Sequence, residues 1–156
     1  MDSKSNLFGK NIQSKGFHSD EEKVYVNLII SGMKAFRDIT IFMRSYNLTE
    51  PQYNILRILR GSYPTSLLGQ DIQSRMLHNT SNTTRLIDKL IDKKYVKRFK
   101  DKEDRRMIHH VITTNGLLLL NEIDPLIIQH CKDTIQLNST KLKQLGDLLD
   151  DLTQIL

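Results

Sequence analysis

Apolar residues in this chain recur at helical spacing along most of its length, with one interruption by a β-like segment. Ser19-Asp20-Glu21-Glu22 places a capping serine before three carboxylates, which suit the positive end of a helix dipole, and predicts a helix running to about Arg44. Val26, Ile29, Ile30, Met33, Phe36 and Ile41 share one face of it. Leu28, Ile39 and Phe42 lie elsewhere on the wheel, so such a helix must be covered on more than one side. Leu48-Thr49-Glu50-Pro51-Gln52-Tyr53 is the sharpest boundary. Thr49 and Gln52 have capping-box spacing, Leu48 and Tyr53 have staple spacing, and Pro51 is tolerated in a first turn. Tyr53, Leu56 and Leu59 continue that helix until Gly61 and Pro64 end it. A short helix is expected from about Thr65 or Ser66, with Leu68, Ile72 and Met76 on one side, and the turn Leu77-His78-Asn79-Thr80 follows it.

The interruption begins after the polar stretch Asn79 to Arg85 and the apolar-periodic run Leu86, Ile87, Leu90, Ile91. A basic segment, Lys93 to Lys100, leads to the charged turn Asp101-Lys102-Glu103-Asp104-Arg105-Arg106 and a β-branched run from Ile108 to Thr113. Helix, strand, arginine-tipped turn and returning strand together predict a winged helix-turn-helix. In that arrangement a polar helix start meets base edges in a major groove, and the hairpin reaches the neighbouring minor groove.

Beyond the hairpin, Thr113-Thr114-Asn115-Gly116 starts a long apolar helix to about Ile135, in which Pro125 should produce a kink or break. A last helix from about Asn138 sets Leu142, Leu145, Leu149, Leu152 and Leu156 at alternating steps of three and four, a heptad seam too short to stand alone. It either packs on its own domain or joins the first helix in a dimer interface. The surplus apolar surface of both terminal helices favours the dimer, which a symmetric reader of a palindromic site also needs. The fold class is mainly α with a small β-hairpin wing. Residues 1–19 form a polar N-terminal arm and 20–156 one domain, with dimerisation helices at 20–47 and 115–156 around a DNA-binding region at 48–114.

Charge sharpens the picture. The chain carries a net charge of +5, and residues 85–106 alone hold ten basic against five acidic residues, whereas residues 107–156 hold three against six. A local excess of this kind is what counterion release from double-stranded DNA rewards. The 156 residues suffice for one domain with a core, and 38% apolar and 26% charged residues are ordinary for a soluble globular protein. No stretch is long and apolar enough for a membrane span, the start lacks a secretory signal pattern, and one cysteine, Cys131, cannot form an intrachain disulfide; a cytoplasmic setting is expected.

The order of elements, with Leu86 to Arg98, Asp101 to Arg106 and Leu48 to Tyr53 as its most specific stretches, resembles the multiple antibiotic resistance regulator (MarR) family of bacterial repressors, from about residue 20 to 156. The resemblance implies a homodimeric, ligand-responsive repressor of transcription. Asp104 and Arg106 match the family's Asp-x-Arg of the wing. Arg106, with Arg105 beside it, would enter the minor groove, and Asp104 would orient a nearby arginine through a bidentate ion pair. Ser81, Asn82, Thr84 and Arg85 match the exposed start of the recognition helix, where asparagine and arginine read adenine and guanine. Thr80 and Lys89 would touch phosphates. A small aromatic or phenolic effector is implied, with Tyr25, Phe36, Tyr46, Tyr53 and Tyr63 as its candidate contacts. Two positions depart from the pattern. Lys94 stands where the family has glycine, so a left-handed turn there would cost roughly 1 kcal/mol. Thr83 replaces a larger aliphatic residue, which implies looser packing at the start of the recognition helix.

Other chemistry is sparse. His18, His78, His109, His110 and His130 have no zinc-site spacing, and His109 and His110, adjacent on a strand, point to opposite faces, so no metal or other cofactor is expected. Cys131 reads as a buried structural thiol rather than a redox sensor. No nucleophile elbow, phosphate-binding glycine loop or cysteine–base pair is present, so no enzyme is expected. The rivals to a regulator are an accessory DNA binder without an effector, and a protein–protein adaptor that uses the winged domain.

Overall fold

In the computed structural model, which describes residues 16–77 and 82–155, the first helix, α1 (Asp20–Arg44), begins where its capping pattern places it. The Ser19 side chain accepts the Glu22 backbone N–H at 3.2 Å. Met43 is buried in α1, whereas Val24, Tyr25, Ile29, Met33, Phe36 and Ile41 are exposed. A turn through Asn47, whose φ of 54° is left-handed and tolerable for asparagine, leads to α2 (Glu50–Ser62). The capping box forms: the Thr49 N–H donates to Gln52 Oε1 at 3.1 Å, and the Gln52 N–H donates to Thr49 Oγ1 at 3.4 Å. Leu48 and Tyr53, the staple pair, are both buried. The chain divides into two compact units, Met1–Tyr53 and Asn54–Leu156, so the boundary falls inside α2.

The second unit contains a three-stranded antiparallel sheet in the order β1-β3-β2, made of β1 (Leu67–Leu68), β2 (Val96–Lys100) and β3 (Ile108–Ile112). The hairpin strands are as expected; β1 is not. Leu67 and Leu68, expected at the start of a helix, instead pair with His110 and His109, and α3 (Gly69–Ser74) begins only after them. Two residues are too few to show a strand's period, and only the pairing with the edge of β3 defines them. The Asp71 carboxylate caps the start of α3 by accepting the Leu68 N–H at 3.2 Å. The turn after α3 is tied to α2, because the Leu77 N–H donates to Asn54 Oδ1 at 3.1 Å.

Helix α4 (Thr83–Asp92) buries Thr83, Ile87 and Leu90. Thr83, where the sequence implied looser packing, is buried. It is 4% exposed, and its hydroxyl donates to the Met76 sulfur at 3.5 Å. Ile55, Leu56, Leu59, Ile72, Val96, Ile112, Leu120 and Ile123 are also buried in this unit.

Thr113 caps α5 (Thr114–Thr134) by accepting the Gly116 N–H at 3.2 Å. Gly116 has no room for a side chain, since a Cβ would lie 2.5 Å from the Tyr95 carbonyl oxygen. Of the kink or break expected at Pro125, the break does not occur: the helix continues through it. Proline removes one donor, and the rest of the 21-residue ladder spans the gap. Its buried residues, Gly116, Leu120 and Ile123, all precede Pro125. Cys131, which follows it, is therefore exposed and not the buried thiol expected. In α6 (Ser139–Ile155) no residue is buried, and Leu142, Leu145, Leu148 and Leu149 are exposed. Among the described residues, no helix is long and apolar enough to cross a membrane.

Lys94 is left-handed, with φ of 62°, as the departure at this position implied. Its N–H donates to the Ile91 carbonyl at 2.8 Å and the Tyr95 N–H donates to the Leu90 carbonyl at 3.0 Å, the double bond pattern of a Schellman turn. Lys94→Gly should therefore stabilise the protein by about 1 kcal/mol, raising Tm by roughly 2–4 °C. Thermal unfolding followed by circular dichroism checks this, and an unchanged or lower Tm would contradict the strain.

Candidate nucleic-acid interface

Helix α4 separates its residues by chemistry. Thr83, Ile87 and Leu90 face inward, and Asn82, Thr84, Arg85 and Lys89 are exposed. Asn82 occupies the N-cap position, yet its side chain makes no capping bond, so its amide is open to an external partner. Thr80 and Ser81, placed with these residues by sequence, lie outside the described residues. On the following face Asp88 meets Arg98 of β2, with Nη1–Oδ1 at 2.8 Å, which joins the helix to the wing. Arg98 is thus committed within the protein, while Arg85, Lys89, Arg105 and Arg106 make no ion pair among the described residues.

The wing tip owes its form to two aspartates. Asp101 Oδ1 accepts the backbone N–H groups of Glu103 at 2.8 Å and Asp104 at 3.0 Å, and these bonds hold its carboxyl below the usual range. Asp104 Oδ1 accepts the Arg106 N–H at 2.9 Å. Asp104 thus places Arg106 through its backbone and not through the side-chain ion pair expected. The Asp101 N–H and the Met107 carbonyl, 2.9 Å apart, close the turn, and residues 102–106 are exposed. Asp101 escaped the sequence reading, although an aspartate opening a polar turn is the usual signal of such a cap.

A cavity of about 400 Å³ lies between α3, α4 and the wing strands; Gly69, Thr84, Asp88, Arg98, Arg106 and His110 help line it. None of Tyr25, Phe36, Tyr46, Tyr53 and Tyr63 does so. Tyr25, Phe36 and Tyr63 are exposed, Tyr53 is buried, and Tyr46 is half-buried with its ring 5.5 Å from that of Phe42. His110 is 8% exposed. Burial pushes its pKa down, opposed by a hydrogen bond with the Leu67 backbone. Among the described residues, no group of three His, Cys, Asp or Glu side chains is placed to hold a metal ion.

Comparison with known proteins agrees with this geometry. Residues 48–108 match the model of the MarR family. The HTH-type transcriptional regulator PrsX of Escherichia coli is 27% identical over 104 residues, 66% of this chain. The chain spans 63% of the length of that curated relative. A MarR-like transcription regulator from Bacillus cereus has the same fold, with a TM-score of 0.77 and 19% identity over 88% of this chain and 98% of the other. Staphylococcus aureus MepR, solved in complex with DNA, gives a TM-score of 0.69 and 21% identity over 85% and 97%.

The depressed pKa of His110 has a consequence for stability. Its folded-state pKa lies below its unfolded value of about 6.5, so the unfolded chain binds the proton first. Its contribution is present above that pH and is lost as pH falls through the folded-state value. Urea unfolding from neutral pH to about one unit below 6.5 should show falling stability, and His110→Leu should flatten the fall. Parallel curves for both proteins would exclude His110 as the source.

Proposed function

We propose that the chain is a member of the MarR family, whose model matches residues 48–108, and that it works as a homodimeric transcription regulator. In this reading it is a repressor that occupies a pseudo-palindromic promoter site and leaves it when a small ligand binds. One observation carries the reading: Asn82, Thr84 and Arg85 at the start of α4, and Arg105 and Arg106 on the wing tip, are exposed, with all three arginines free of ion pairs among the described residues. An open asparagine amide and an open guanidinium are the bidentate readers of adenine and guanine. In the same reading Ser81 joins the base contacts, and Thr80 and Lys89 meet phosphates. An arginine on a narrow, well-braced turn suits the minor groove. The MepR–DNA complex supports the reading by its fold.

The dimer rests on the apolar surfaces of the terminal helices. Ile29, Met33 and Phe36 of α1 and Leu142, Leu145 and Leu149 of α6 are exposed in the single chain, and a second copy would cover them. Two heads related by a two-fold axis then meet successive major grooves roughly 34 Å apart. A ligand releases the DNA only if it favours a different head spacing. The ligand of this reading is a small aromatic or phenolic molecule.

The two reading elements should respond differently to truncation. Arg106→Ala is expected to weaken specific and random duplexes alike and to lower the salt slope by about one. Asn82→Ala should alter base preference, losing roughly 1–3 kcal/mol on the preferred site with little change of slope. Fluorescence anisotropy at two salt concentrations, on the chain's upstream duplex and a scrambled one, separates them. Equal losses on both duplexes for both variants would defeat the assignment.

A further inference from the structure

We propose that His109 is a positioning residue for DNA reading: it ties the wing tip to the segment that opens the helix-turn-helix, so that Arg106 reaches the duplex only when this histidine is in place. The inference rests on the DNA-binding function proposed above and names a residue that neither the helix start nor the Asp-x-Arg pattern includes.

His109 lies in β3 and touches three separate parts of the chain. Its Nε2 is 3.2 Å from Asp101 Oδ2, at the base of the tip. Its Nδ1 is 3.1 Å from the Ser66 hydroxyl, just before β1. Its ring stacks on Phe99, its cross-strand partner in β2, with centroids 5.5 Å apart and planes 13° from parallel. The proton assignment follows from the partners. Asp101 is kept ionised by the backbone N–H groups of Asp104 and Glu103, and an ionised carboxylate can only accept. Nε2 therefore carries a proton and donates to Asp101. In the neutral ring Nδ1 is left to accept from the Ser66 hydroxyl, so one tautomer satisfies both contacts.

The same Asp101 carboxylate thus does two jobs. Oδ1 folds the tip by accepting the Glu103 and Asp104 N–H groups, and Oδ2 moors it through His109. Asp104, fixed by that fold, sets the backbone of Arg106. A continuous path of contacts runs from Ser66 through His109 and Asp101 to Arg106. Without the ring the Asp101 carboxylate loses its tether to Ser66, and the turn that this carboxylate folds opens more often. A tip that opens more often presents its arginine at a variable distance from α4, and ordering it on DNA then opposes binding.

The test is a double-mutant cycle in the full chain, read by anisotropy on a random-sequence duplex at low salt. His109→Ala should weaken binding about tenfold, and Arg106→Ala added to it should remove less than about twofold more. His109→Gln keeps an N–H donor near the Nε2 position and should recover most of the loss. In the free protein, amide exchange at Glu103 and Asp104 should accelerate in His109→Ala while Leu56 and Leu59 stay protected. Ser66→Ala, which leaves the ring and the sheet intact, should accelerate the same two amides to a smaller extent and decides the matter if His109→Ala fails to fold. Fully additive losses for His109 and Arg106, or unchanged exchange at the tip, would overturn the proposal. If the wild-type chain binds no duplex, the DNA-binding function fails, and the exchange rates alone then decide whether His109 holds the tip.

Discussion

The proposed reading of DNA depends on how α4 is seated. Thr83, Ile87 and Leu90 are each at most 4% exposed. Burying side chains the size of Ile87 and Leu90 stabilises by roughly 1.5–3 kcal/mol apiece. That burial fixes the rotation of the helix, and the rotation decides that Asn82, Thr84, Arg85 and Lys89 point outward. The end of the helix is equally constrained. The Schellman turn at Lys94 hands the chain to β2, where Val96 is buried and Arg98 meets Asp88. Thr113 closes the frame from the other side, its hydroxyl donating to the Lys94 carbonyl at 2.7 Å and its N–H to the Tyr95 carbonyl at 2.9 Å. The strained lysine thus sits at a junction where helix, wing and α5 are joined, and such over-determination is what lets a left-handed non-glycine residue persist.

The parts of the fold legible in the sequence were those set by local chemistry. Ser19, the Thr49–Gln52 box, Thr113 and the charged turn at Asp101–Arg106 each announce a terminus or a turn through the groups beside them. The left-handed turn at Lys94 followed from the resemblance, since a glycine position predicts a backbone conformation whatever residue fills it. What was not legible depends on distant partners. The strand status of Leu67 and Leu68 is conferred by residues more than forty positions away. The exposure of Cys131 depends on where the core stops along α5. At the candidate site, the exposed positions of α4 and the wing could be read in advance. The contacts that shape the tip could not, because the same Asp104 can serve a side chain or a backbone, and only the geometry selects the backbone.

Charge distribution and mechanical bracing act together. The ten basic residues of 85–106 are not equivalent. Arg98 is spent on Asp88, whereas Arg85, Arg105 and Arg106 remain open, so the field that attracts a polyanion and the contacts that would position it are divided among different residues. Three of the five acidic residues, Asp88, Asp101 and Asp104, hold the basic residues' frame and do not merely cancel their charge. A count of charges would treat those acids as a subtraction; the hydrogen bonds show them as supports.

The terminal helices impose the last constraint. Helix α6 buries none of its 17 residues and has Gly146 in its interior, which disfavours a helix by about 1 kcal/mol relative to alanine. A helix of that length in water is marginal without tertiary contacts. Its order must then come from something that covers Leu142, Leu145 and Leu149, and the exposed apolar residues of α1 have the same need. In the proposed dimer one event satisfies both. Stability and DNA-reading geometry are then linked to protein concentration through a single association equilibrium. In that proposal an effector that loosens the terminal helices would alter the spacing of the two heads without touching α4 or the wing.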